Sequence, residues 1–357
     1  MVLRAGSDQP TASIGLVCGK TIGGSGRVVS DSALTLNLAD ALASRGLTLR
    51  VSVSDELGEA IEAMRGADVA IVCGAAKTGE GADRPDLLLD QHELLMAIAE
   101  RRAATRAVDG GGSASTSTTA PPLPPLVIAA TCPGQLLTPW ADGADAIAAA
   151  FYLGQAHGEA WARVLLGDVS PQGKLPVTFP ASEEDTVQPC GHNFYVQLGT
   201  TVCEYSERLH TGWRGLIDRP VAFPFGHGLS YTTFNYSWVQ EPAVSTASSR
   251  GDASVIMRVA IVNAGGVGGA EVAQLYVRFP EYADEPSLLL RDFARTRVLL
   301  PGQSEVVELS LSALSDLSVW SGRVDEPSGG WSVIGGEFEA LVGASSRDLR
   351  LSASFYT

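Results

Sequence analysis

The chain has 357 residues, 45% of them apolar and 18% charged, with a formal net charge of −15. That length and composition predict two globular domains with real apolar cores and exclude a disordered chain. So acidic a surface repels phosphate backbones and anionic lipid, which excludes nucleic acid and membrane surfaces as partners and leaves neutral ligands such as sugars open. No window reaches about 18 uninterrupted apolar residues, and the opening stretch MVLRAGSDQPTASIGLVCGK holds no run of signal-peptide length. The sequence as given is therefore expected to carry no membrane span and no export signal, and localisation stays open.

The first half alternates short apolar runs with helical patterns. A strand is expected at 13–18, then the glycine-rich turn IGGSGR. A helix follows with Leu34, Leu38, Ala41 and Leu42 on one face and Gly46 placed to end it. The pattern continues with a strand at 47–53, a helix at 56–64, a strand at 67–74 and a helix at 90–102. Beyond these lie a strand at 125–131, an apolar run at 144–152 and a helix at 158–166. Strands alternating with helices predict an α/β domain with an open, mostly parallel sheet, and ADVAIVCG reads as a strand buried on both faces. Residues 103–125, rich in Gly, Ser, Thr and Pro, read as a flexible surface insertion. From about residue 250 the period becomes two, in runs around 255–261, 273–277, 307–311, 338–342 and 349–355. That pattern predicts an antiparallel β-sandwich, with residues 181–250 as a long irregular connection.

Chemistry is sparse on the residues alone. The five cysteines form no CxxC pair, the five histidines no i, i+4 pair, and there is no HExxH, EF-hand or G-x-S-x-G pattern, so neither a metal nor any other cofactor is expected. Cys18, Cys73 and Cys132 lie in strand-like runs and read as small buried hydrophobes, whereas Cys190 and Cys203 could pair in an oxidising compartment. The turn IGGSGRV at 22–28 lacks both the Walker and the G-x-G-x-x-G spacing and reads either as an anion-binding turn or as a turn needing positive φ. The segment KTGEGADRPDLLL at 77–89 follows the buried strand, at the carboxyl end where open α/β sheets bind ligands. Glu80, between two glycines, is either a solvated loop glutamate or a general acid; Asp83 and Arg84 read as an ion pair ordering the loop. His227, flanked by glycines, reads as a packed or capping histidine or as a catalytic one.

Three segments, GDVSPQGKLPVTFP (167–180), YSERL (205–209) and PFGHGLSYTTF (224–234), together resemble the C-terminal part of family 3 glycoside hydrolases of the β-glucosidase type. TPWAD (138–142), YLGQAHGEAWARVLLGD (152–168), the run 271–277 and the turn 299–304 resemble further stretches of that family, Arg208 and Leu153 departing from its usual Gly and Pro. The resemblance implies an α/β sandwich domain over 10–235, with the insertion 103–125 and the connection 181–235, then a fibronectin-III-like domain over 250–357. It also implies retaining hydrolysis of β-linked glycosides, with Glu80 as general acid/base. Asp83, Arg84, Gly24 and Ser25 would then be substrate-binding residues of the rim, and the FGHG turn would be structural.

The family's aspartate nucleophile lies in an N-terminal (β/α)₈ barrel, in a segment resembling V-x-S-D-W, and no such segment occurs in these residues. Retaining hydrolysis needs two carboxylates about 5 Å apart. The chain is therefore expected to supply the acid/base half, to need a barrel encoded upstream or separately, and to be inactive alone. The competing expectation is a non-catalytic remnant acting as a binding or interaction module. A nucleotide-binding α/β protein rests on IGGSGR alone.

Overall fold

The computed structural model describes residues 13–17, 38–76, 78, 84–109, 122–154, 156–187, 206–245, 254–322 and 329–357, with the backbone alone for 13–17 and 105–109. The chain divides into two compact units, Met1–Val169 and Ser170–Thr357.

The first unit runs β1 (Ser13–Val17), α1 (Leu38–Ala43), β2 (Thr48–Ser52), α2 (Leu57–Met64), β3 (Val69–Ala75), α3 (His92–Asp109), β4 (Leu126–Cys132), β5 (Ala146–Phe151) and α4 (His157–Leu165). Its five strands form a parallel sheet in the order β2-β1-β3-β4-β5. The α/β reading therefore holds. Because side chains alternate across a strand, Val69, Ile71 and Ala129 bury against Ala41, Leu42, Trp161 and Ala162, while Ala70, Val72 and Ile128 are buried towards the opposite face. Gly46, at φ +77°, stands just beyond the end of α1, where a left-handed residue is needed. Arg45 ties α1 to α4, its two terminal nitrogens donating to the Glu159 carboxylate at 3.0 and 2.6 Å. α3 continues to Asp109, beyond the expected end at residue 102, because AATRAV offers good helix formers before the glycine run. Residues 110–121 of the expected insertion lie outside the described residues. Gly143, after β4, sits so close to α3 that a Cβ there would come within 2.5 Å of the Ala99 Cα.

The second unit opens with β6 (Phe179–Pro180), β7 (Val221–Phe223), β8 (Phe234–Ser245), β9 (Ser254–Asn263), β10 (Val272–Arg278), β11 (Leu289–Arg295) and β12 (Ser304–Ser312). It closes with α5 (Ala313–Asp316), β13 (Ser318–Ser321), β14 (Gly330–Val333), β15 (Glu337–Gly343) and β16 (Leu349–Tyr356). Two antiparallel sheets, β11-β10-β15-β16 and β12-β9-β8, form the sandwich predicted from the period-two runs. Met257, Val259 and Ile261 pack with Leu275, Val277, Phe338 and Val342 in one core. The first sandwich strand, β8, starts inside the stretch expected to be an irregular connection. Its alternating Phe234, Tyr236 and Trp238 bury against that core.

Residues 170–187 and 206–231 fold with this unit, and a buried polar hub holds them. Lys174 Nζ lies 2.9 Å from Glu271 Oε1 and donates to the Gly228 carbonyl at 2.8 Å. The Leu175 amide donates to the His227 carbonyl and the Gly226 amide to that of Leu175, both at 2.8 Å. Gln274 Nε2 donates to the carbonyls of Gly226 (3.1 Å) and Ala344 (2.8 Å). The glycines of FGHG are required here. Gly226 has φ +78° against the Gln274 side chain, and a Cβ on Gly228 would stand 2.3 Å from the Gly173 carbonyl. Burial first, and then Lys174, lowers the pKa of His227, so the imidazole is held neutral within the hub. Packing thus divides the chain at Val169/Ser170, ahead of the sequence boundary at 235–250.

Among the described residues no helix is long and apolar enough to cross a membrane.

Candidate active site

In an open α/β sheet, ligands bind beyond the carboxyl ends of the strands, where the strand order reverses. In the order β2-β1-β3-β4-β5 that point lies between β1 and β3, which run side by side in parallel with Val17 opposite Val72. The two loops singled out from sequence follow these two strands in the chain. Gly24 and Ser25 come after β1, and Glu80 and Asp83 after β3; all four lie outside the described residues. Arg84 is described, at the far stem of the second loop.

Both stems of that loop are fixed. On the near side, the Ala75 amide donates to Gln91 Oε1 at 2.9 Å, the Asp90 amide to the Ala75 carbonyl at 2.8 Å, and the Ala76 amide to the Thr131 carbonyl at 3.2 Å. Tyr152, just beyond β5, donates its hydroxyl to the Ala76 carbonyl at 3.1 Å. On the far side, Arg84 Nη2 donates to the Gln135 carbonyl at 3.1 Å, the Leu88 amide to Asp86 Oδ1 at 2.9 Å, and the Leu137 amide to the Leu87 carbonyl at 3.0 Å. Gly74 lets Leu89 lie across β3, since a Cβ there would stand 2.7 Å from Leu89 Cδ1. The stems are thus a rigid scaffold of the kind that holds functional loops in place.

Arg84 sets the local charge. Its described bond goes to a backbone carbonyl, and its Nη1 is buried without a hydrogen-bond partner among the described residues. Burial pushes the Cys132 thiol up to about 11 and raises the Tyr152 phenol, with Arg84 drawing both back. Cys132 is therefore a buried neutral thiol, as expected from its strand. Cys73 departs from that reading: it is half-buried and disulfide-bonded. Cys190 and Cys203 also lie outside them. Sequence reasoning missed Gln91, Gln135 and Tyr152. Their signals are faint, a buried glutamine before a helix and a tyrosine closing an apolar run. Among the described residues no group of His, Cys, Asp or Glu is arranged to hold a metal ion.

A parallel sheet with its switch-point loops, joined in one chain to an antiparallel sandwich, defines a two-unit α/β plus all-β protein. Residues 6–231 match the Glycosyl hydrolase family 3 C-terminal domain, and residues 271–346 the Fibronectin type III-like domain. The chain belongs to glycosyl hydrolase family 3. It is 33% identical over 311 residues to the probable beta-glucosidase D of Aspergillus flavus, covering 82% of this chain and 37% of that protein. With the probable beta-glucosidase H of Emericella nidulans the identity is 30% over 362 residues, covering 98% of this chain and 40% of that one. Among solved structures, the beta-D-glucoside glucohydrolase of Trichoderma reesei superposes with a TM-score of 0.73 at 28% identity, over 98% of this chain and 52% of that chain. The chain thus spans about two fifths of the curated relatives' length and about half that of the solved one.

Proposed function

We propose that this chain is the acid/base half of a retaining β-glucosidase-like hydrolase. Glu80 protonates the leaving oxygen of a β-linked glycoside and then activates water, and a carboxylate on a (β/α)₈ barrel attacks the anomeric carbon. Two carboxylates about 5 Å apart are the minimum for this chemistry, so the chain by itself does not turn over glycosides. The observation that carries the reading is topological. The loops with Gly24–Ser25 and with Glu80–Asp83 follow adjacent parallel strands at the switch point, and the second has both stems pinned. Arg84 acts from the far stem, and Asp83, Gly24 and Ser25 line the rim on the glycoside.

The test is Glu80→Gln in the barrel-containing enzyme. A glutamine cannot donate the proton, so hydrolysis of alkyl glucosides, whose leaving groups need protonation, falls by about 10²–10⁴. Hydrolysis of activated aryl glucosides keeps much of its rate through the glycosylation step. Equal loss on both substrate classes would refute the acid role.

A further inference from the structure

Across the short ribbon β13–β14 of the second unit, Trp320 and Trp331 are directly opposed in register. Their rings meet edge to face, 5.7 Å between centroids at 82°. Both stay in solvent, Trp331 63% exposed and Trp320 39%. Val333, two residues on from Trp331 and so on the same face, is exposed beside them, and Leu314 of α5 is exposed next to the ribbon. Other exposed aromatics of this unit, such as Phe293, Tyr282 and Tyr356, are not described in ring pairs and need no explanation. Two opposed tryptophans do, because leaving this much aromatic surface in water is unfavourable unless something covers it.

The ribbon also restricts what covers it. Its described residues, SVWS and GWSV, carry no charge. The molecule around them has a net charge of −15. An anionic partner is repelled. The described strands offer two indoles and no charged side chain, a face that suits a neutral partner with an apolar side to lay on an indole and hydroxyls left to the water. A β-linked glucopyranose has this chemistry: its hydroxyls are equatorial, so its ring faces present C–H groups of slight positive charge to the negative face of an aromatic ring. Trp320 is held by its Nε1, which donates to the Gly322 carbonyl at 2.8 Å, and so acts as the fixed wall against which Trp331 stands.

We propose that Trp331 and Trp320 form a binding site on the second unit for neutral β-linked gluco-oligosaccharides. The inference goes beyond the hydrolytic reading and does not use Glu80. The experiment is a titration of the purified chain with cellohexaose, followed by indole fluorescence and calorimetry. Trp331→Ala, Trp320→Phe and, as a control at an exposed aromatic away from the ribbon, Phe293→Ala are run beside it, with circular dichroism to check that each variant folds. Saturable binding is expected. It should weaken about tenfold or more in Trp331→Ala, as removal of a central aromatic anchor does, less in Trp320→Phe, and not at all in Phe293→Ala. No saturable binding, or the same affinity in Trp331→Ala, would overturn the proposal. So would equal binding of polygalacturonate, which would show that neutrality is not what the site selects. A dimer in sedimentation velocity that Trp331→Ala converts to monomer would also overturn it, since the occupant would then be a second copy of this chain.

Discussion

Removing either member of the Lys174–Glu271 pair should unlock residues 170–187 and 206–231 from the sandwich. The two groups are 2.9 Å apart with side chains only 14% and 7% exposed. At that separation their attraction is about 6 kcal/mol for an effective dielectric of about 20, and it offsets a desolvation cost of several kcal/mol per ion. The intact pair is therefore close to neutral for stability, whereas a single truncation leaves one buried charge. Breaking such a pair costs about 3–5 kcal/mol. The lower end is expected here, because the Gly228 carbonyl still accepts from Lys174 and the Val272 amide still donates to Glu271. Lys174→Met and Glu271→Met should each destabilise the unit by about 3 kcal/mol. The double variant forfeits two backbone hydrogen bonds but buries no lone charge, so its cost should fall at least about 2 kcal/mol short of the sum. Urea titration with hydrogen-exchange mass spectrometry, read in peptides spanning 170–180 and 271–277, measures all three. Single costs under about 1 kcal/mol, or additive ones, would refute the hub as the element joining these segments.

Two further outcomes follow from packing and charge. Gly143→Ala drives a methyl group into the α3 backbone at Ala99, where nothing flexible can yield, and should cost about 1–3 kcal/mol or more in the first unit, read as a lower thermal midpoint. His227 has its pKa lowered below 6.5 by burial, so the unfolded chain takes up the proton first. The stability it lends is present above pH 6.5 and is lost as pH falls from there through its folded pKa. Urea midpoints of the second unit at neutral and mildly acidic pH should show that decline, and His227→Gln should flatten it.

How far the fold could be read from sequence followed from how local each signal is. β3 and β4 were legible because unbroken apolar runs admit a strand buried on both faces. β9, β12, β15 and β16 were legible because strict alternation marks one buried face. β8 was hidden by the aromatic turn that runs into it, although Phe234, Tyr236 and Trp238 carry the period of two. β11 reads LLRDFAR, whose middle residues are half-buried and charged, and β13 and β14 are four residues each, too short for a periodic signal. The disulfide at Cys73 was not legible, because a cysteine in an unbroken apolar run reads as a small buried hydrophobe. At the candidate site the loop was singled out by its glycines and its place after a buried strand, and residues 79–83 themselves lie outside the described ones. Its clamps were not: Gln91, Gln135 and Tyr152 reach it from other elements, through contacts that only the sheet order creates.

The central claim is that this chain carries an acid/base without its nucleophile. The direct measurement is hydrolysis of p-nitrophenyl β-D-glucoside by the purified chain, alone and with a family 3 (β/α)₈ barrel domain added in trans. The account predicts silence from the chain alone and turnover from the mixture, abolished when the barrel's nucleophilic aspartate is replaced. Turnover by the chain alone would contradict it, because a second carboxylate would then have to lie within these residues.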